Sequence, residues 1–242
     1  MANVESKFLF HAHAMALGGQ LTRPCCEVIK TQAASALASI GGSGSVRVGP
    51  FSQRGISFRE ARSVVEGNTQ KNPDGTTTYN TLTTVTIEGL NIHEMVTADR
   101  VVARLTCEQS KKDPDLPICP VGSYFVNLRI GDIPVRLRPK DHLCKAVGFA
   151  ALGKAVTSGQ TMTSLFEHES EDGVRSLTSA GLKPDGDDGC VIKVPGFGTV
   201  HIGEYLLTNG SRRLTMLRLV MGSPIEGQVE VGGLAGNGSW YP

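Results

Sequence analysis

His11 and His13 stand two residues apart in Lys7–Ala16, a run whose apolar alternation reads as a strand. Both imidazoles then project from one sheet face, at a spacing that can chelate a metal ion. With a remote acid, such a pair would suit a metal-dependent hydrolase. The further ligands would come from His93, Glu94, His142, His168 or His201, and no spacing selects among them. The turn Asp185-Gly186-Asp187-Asp188-Gly189 offers three carboxylates, Asp185, Asp187 and Asp188, to a calcium ion. It lacks the bidentate Glu and the spacing of an EF-hand, so a solvated turn is the plainer reading. Calcium is the one cofactor these residues suggest.

Gly148-Phe149-Ala150-Ala151-Leu152-Gly153-Lys154-Ala155 follows the phosphate-binding loop pattern up to its last position. There Ala155 stands where a Ser or Thr hydroxyl would ligate magnesium, and the Phe-Ala-Ala-Leu interior would pack rather than present amides to a phosphate. No G-x-S-x-G segment or local nucleophile signature occurs, which weighs against catalysis. Six cysteines (Cys25, Cys26, Cys107, Cys119, Cys144, Cys190) allow more disulfide pairings than sequence can choose among. Cys107 and Cys119 bracket a Pro-rich segment that a bridge could close, and the plainer reading of most of the six is as small buried residues.

The elements that would hold these groups are predominantly strands. Val85 and Ile87 share a face opposite Thr84, Thr86 and Glu88, and after Gly89 the apolar phase moves to Leu90 and Ile92. A slip of one residue at a glycine predicts a bulge. Val101, Ala103, Leu105 and Cys107 resume the alternation, and Tyr124, Val126, Leu128 and Ile130 are expected on one face of a further strand. Val46–Gln53, Ile56–Val65, Val191–Val194, Thr199–Leu206, Leu214–Met221 and Gln228–Leu234 also read as strands. Asn72-Pro73-Asp74-Gly75 is a tight turn, and Lys111–Pro120 an exposed loop. Cys26–Ile40 is ambiguous between helix and strand. The clearest helix runs from Asp141 to about Thr157, while Glu167–Asp172 flanks an irregular region.

The expected architecture is therefore mainly β, an antiparallel sandwich or barrel with at most one or two short helices. One domain spans residues 1–242, with residues 1–70 as a candidate subregion. Twenty-four Lys and Arg against twenty-three Asp and Glu leave a net charge of +1, too little field to gather nucleic acid. No apolar run reaches the ~18 residues of a membrane-spanning helix. Met1–Glu5 carries no secretory signal pattern, and Ser239–Pro242 no sorting signal or hydrophobic tail.

Thr84-Val-Thr-Ile-Glu-Gly-Leu-Asn-Ile92 followed by Val96-Thr-Ala-Asp-Arg-Val-Val-Ala103 resembles the bacterial choice-of-anchor P domain family. Val126–Val135, Val194–Ile202 and Gln228–Gly233 agree in order, so about half the chain takes part. The resemblance implies a secreted or surface-displayed bacterial β domain, and it brings no catalytic residues. The expected function is a non-catalytic structural or interaction module that presents loops or a sheet edge to a protein partner or to its own copies. The alternatives are a sandwich or barrel holding a small apolar or carbohydrate ligand, and the metal-dependent hydrolase.

Overall fold

A computed structural model describes residues 7–111, 118–144, 162–186, 188–208 and 211–241. In chain order the first strands are β1 (Lys7–Arg23), β2 (Glu27–Gln32), β3 (Ser35–Ala36), β4 (Gly42–Val48), β5 (Phe51–Gln53), β6 (Ile56–Phe58) and β7 (Glu60–Lys71). Next come β8 (Thr77–Ile92), β9 (Val96–Ser110), β10 (Ile118–Cys119), β11 (Tyr124–Val126), β12 (Arg129–Ile130), β13 (Ile133–Pro134) and β14 (Leu137–Pro139). The short helix α1 (Asp141–Cys144), β15 (Met162–Ser164), β16 (Phe166–His168) and helix α2 (Glu171–Ser179) follow. The chain closes with β17 (Lys183–Asp185), β18 (Val191–Val194), β19 (Gly198–Thr208), β20 (Ser211–Met221) and β21 (Glu226–Tyr241).

Two antiparallel sheets form a sandwich, and neither closes into a barrel. One has the order β17-β18-β19-β20-β21-β1-β2, the other β13-β12-β9-β8 continuing to β6 and β7, with β4 and β5 outermost. A single hydrophobic core lies between them, built from residues such as Leu17, Ile29, Ile87, Phe166, Leu217 and Val231. Phe8, Phe10, Ala12 and Ala14 point into it, as the alternation in β1 requires.

Each sheet is crossed by a row of residues at which its long central strands change phase. Buried side chains step from Phe58 to Ala61, from Ile87 to Leu90 and from Ala98 to Val101. The skipped residues Arg59, Gly89 and Asp99 stand opposite one another, because the pairings on either side of them keep one register. A lone bulge at Gly89 would set two residues against one; here all three strands slip together and the ladder stays in step. Asn127 continues the row with φ +51° and donates its amide to Asp99 Oδ2 at 2.6 Å. Its slip explains why Tyr124 and Val126 face solvent while Leu128 and Ile130 are buried, against the expectation of one shared face.

The second sheet has the same device at Ala16, Gly232, Met216 and Gly203. Positive φ recurs on every second strand, at Gly89 (+63°) and Asn127 in one row and at Gly232 and Gly203 (both +65°) in the other. A left-handed residue is accessible to Gly and to Asn at low cost, so these positions carry the half-turn that keeps apolar side chains inward.

The ambiguous segment Cys26–Ile40 contains β2 and β3, and no helix. Of the helix expected from Asp141, Asp141–Cys144 is helical; the rest, including Gly148–Ala155, lies outside the described residues. Helix α2 replaces the irregular region expected beyond Glu167. Ser170 caps it by accepting from Gly173 N, Glu171 and Asp172 complement its N-terminus, and Leu177 anchors it. Within Lys111–Pro120, Ile118 and Cys119 pair with β9.

Candidate functional site

His11 and His13 lie exposed on the outer face of β1, on one side as their spacing requires. His93, His142, His168 and His201 belong to separate elements, and no group of three or more His, Cys, Asp or Glu among the described residues could hold a metal ion. Packing around the His13 ring, with the Arg213 charge two strands away through Ala235, lowers its pKa. A cation that disfavours imidazolium disfavours a bound metal dication for the same reason. Asp185 accepts from Lys193 Nζ at 2.7 Å and from Gly186 N at 2.9 Å. Asp188 accepts from Lys140 Nζ at 2.8 Å and from Cys190 N at 3.1 Å. Each carboxylate is thus held by its own lysine; Asp187 lies outside the described residues.

All six cysteines are free. The bridge conceivable between Cys107 and Cys119 is not formed: β10 sets Ile118 opposite Cys107 and Cys119 opposite Thr106, and the Cys119 thiol donates to the Cys144 carbonyl at 2.8 Å. Burial pushes the Cys107 and Cys190 thiols up to about 12, which keeps them protonated and inert.

The outer faces of the sheets are closed by cross-strand ion pairs. Arg47 meets Glu60 and Arg100 meets Glu88, each at 2.6 Å, and Arg213 meets Glu230 at 2.5 Å. Arg218 grips Glu204 through two nitrogens at 2.7 and 2.5 Å, and His201 Nδ1 approaches the same carboxylate at 3.2 Å. Burial alone would raise the Glu204 pKa, yet these hydrogen bonds outweigh it and bring the carboxyl down to about 2. Such faces favour water over an apolar partner.

The sheet edges differ from the faces and from one another. β17 is three residues long and carries Lys183, Pro184 and Asp185. β13 is two residues long and ends in Pro134. β2 carries Glu27 and Lys30. Short length, Pro and charge are the usual guards against strand addition. β4 is seven residues long, Gly42-Ser43-Gly44-Ser45-Val46-Arg47-Val48, and has no proline. Its one charge, Arg47, is tied to Glu60 across β7. β4 pairs with β7 alone among the described strands, so its other edge offers N–H and C=O groups to an incoming strand. Composition hints at this segment, but sequence does not say which strand ends a sheet.

Sequence reasoning also passed over Phe8, Phe10, Tyr79 and Trp240, which nest together where β1 and β8 begin and β21 ends. They are separated by up to the full length of the chain. The sole tryptophan and the Phe-x-Phe pair were the available signal.

A family model described as a domain of unknown function, DUF8256, matches residues 8–177, more than half of the chain, from β1 into α2. No curated protein and no solved structure matches.

Proposed function

We propose an assembly role for this chain, which belongs to the DUF8256 family: it is a non-catalytic structural module that pairs with a second copy of itself through β4. The observation that carries this reading is the unguarded edge from Gly42 to Val48. Strand addition needs only backbone groups in extended register, and an isologous pair must be self-complementary about a two-fold axis. Antiparallel pairing centred on Ser45 places Gly42 opposite Val48, Ser43 opposite Arg47 and Gly44 opposite Val46 of the second copy. No like charges meet, and the small residues leave the backbones free to approach.

The ion-paired sheet faces support a scaffold reading, because they leave pairing to the edges. The resemblance to the choice-of-anchor P domains extends the reading to a bacterial surface or a secreted particle. A seven-residue edge buries less than the ~1,200–2,000 Å² of a standard interface, so the pairing is weak and concentration-dependent.

Size-exclusion chromatography with light scattering tests this over a range of loading concentrations. The mass should rise toward a dimer with concentration, and Ser43→Lys, which sets an ammonium opposite each Arg47 of the pair, should hold the protein monomeric. Ser43 is exposed and faces Glu66 across β7, so the substitution does not disturb the fold. A strictly monomeric wild type, or a dimer indifferent to Ser43→Lys, overturns the reading.

A further inference from the structure

The core is mostly aliphatic, and four of the chain's thirteen aromatic residues gather at one end of the sandwich, including its one tryptophan. Phe8 stacks on Tyr79 with ring centroids 4.4 Å apart, and Trp240 stands at 88° to Tyr79 at 5.1 Å. The backbone makes room for them: a Cβ at Gly238 would lie 1.9 Å from Phe8 Cζ, and one at Gly67 2.9 Å from Phe10 Cδ1. These rings are therefore built into the end of the sheets, and Phe8, Tyr79 and Trp240 border a cavity of about 750 Å³. That size falls within the ~300–1,000 Å³ of small-ligand sites.

Three features define what would enter. The Trp240 indole N–H is closed off from solvent and has no acceptor among the described residues, so the indole offers the cavity ring surface only. Lys7 and Lys111 are exposed at the rim, and neither forms an ion pair with a described residue. The wall between them is the turn Asn72–Thr76, held by Asn72 N to Thr76 O at 2.8 Å. Asp74 accepts there from Thr76 N and Oγ1 at 2.9 and 2.6 Å. The site thus combines aromatic surface, hydroxyls, two amines and one carboxylate, Asp74, whose Oδ1 is taken up by Thr76.

We propose that this cavity binds an acidic saccharide, a glycan carrying uronic-acid carboxylates. The apolar C–H face of a sugar ring lies against Tyr79 and Trp240, its hydroxyls meet the threonine and serine hydroxyls of the lining, and the carboxylates meet Lys7 and Lys111. A purely apolar ligand would leave the rim amines and the lining hydroxyls unmatched, and a simple anion would leave the aromatic surface unused.

Trp240 is the only tryptophan, so its emission reports on this cavity alone. The full chain is titrated with trigalacturonate, with maltotriose as the neutral counterpart and with inorganic phosphate, all at matched ionic strength. Trigalacturonate should change the emission saturably, with an affinity at least tenfold above maltotriose, and phosphate should neither change the emission nor compete. Lys7→Gln with Lys111→Gln should weaken trigalacturonate at least tenfold while leaving the melting temperature unchanged. No saturable response to trigalacturonate, by emission or by calorimetry, overturns the site. Equal binding of maltotriose overturns the acidic assignment, and displacement by phosphate overturns the saccharide class.

Discussion

Replacing Gly203 with Ala tests the physical account of the phase-slip rows. Gly203 has φ +65°, and an added Cβ would sit 2.3 Å from Phe166 Cδ2 and 2.9 Å from Cε2. Phe166 is 1% exposed, so its ring has no open space to take. The left-handed backbone costs an alanine about 1–2 kcal/mol, and forcing a ring aside in a packed core costs about 1–3 kcal/mol more. Gly196 supplies the control. Its φ is +72°, and nothing lies within 4 Å of the corresponding Cβ, so Gly196→Ala carries the backbone cost alone.

For a chain of this length each kcal/mol lowers the melting temperature by about 2–4 °C. A combined loss of about 3 kcal/mol at Gly203 then corresponds to about 6–12 °C, against about 2–8 °C for Gly196→Ala. Thermal unfolding followed by circular dichroism measures both. Phe166→Leu in the Gly203→Ala background should recover part of the difference, because the two changes share one contact. Equal losses for the two glycine variants, or no coupling with Phe166, would refute the claim that the row is held by close packing as well as by backbone handedness.

Two further predictions concern charge and thiols. Glu204 falls from an ordinary 4.5 to about 2 in the folded state, so it contributes stability that is complete above pH ~4.5 and is lost as the pH falls toward ~2. The full difference is on the order of 3 kcal/mol, and Glu204→Gln should flatten the stability profile across that window; an unchanged profile would show that Arg218 does not hold the carboxylate. With a thiol-specific chromogenic reagent, exposed Cys25 and Cys26 should react at once, whereas buried Cys107 and Cys190 should react only on unfolding. Rapid labelling of all six in the native protein would contradict the packing described for them.

Much of the fold was legible because period-2 alternation survives in the sequence wherever one face is buried. Phe8 to Ala14 and Val101 to Cys107 are cases in point. The slip at Gly89 was visible because apolar residues flank it on both sides. The slip at Asn127 was hidden: Tyr124 and Val126 look like core residues, and only pairing with β9 reveals that they face outward. That a row of residues slips in concert is a property of register, which no single strand displays. Helix α2 buries Leu177 alone, too little for a periodic signal, and its cap at Ser170 was the better clue.

The candidate sites followed the same division. The spacing of His11 and His13 placed both on one face, as observed, but their surroundings, including Arg213, depend on a strand two hundred residues away. The lysines that hold Asp185 and Asp188 are likewise supplied by tertiary structure. The open edge of β4 is a statement about which described strands lie beside it, β7 alone, and sequence carries no record of that.

Hydrogen–deuterium exchange of the peptide spanning residues 42–48, measured across a concentration series, tests the central claim most directly. At low concentration only the amides that face β7 should be protected, and the remainder should exchange as open backbone. As concentration rises, the open amides of this segment should become protected while peptides from β2 and β17 stay unchanged. Exchange across 42–48 that is independent of concentration, under conditions where the protein associates, would contradict assembly through this edge.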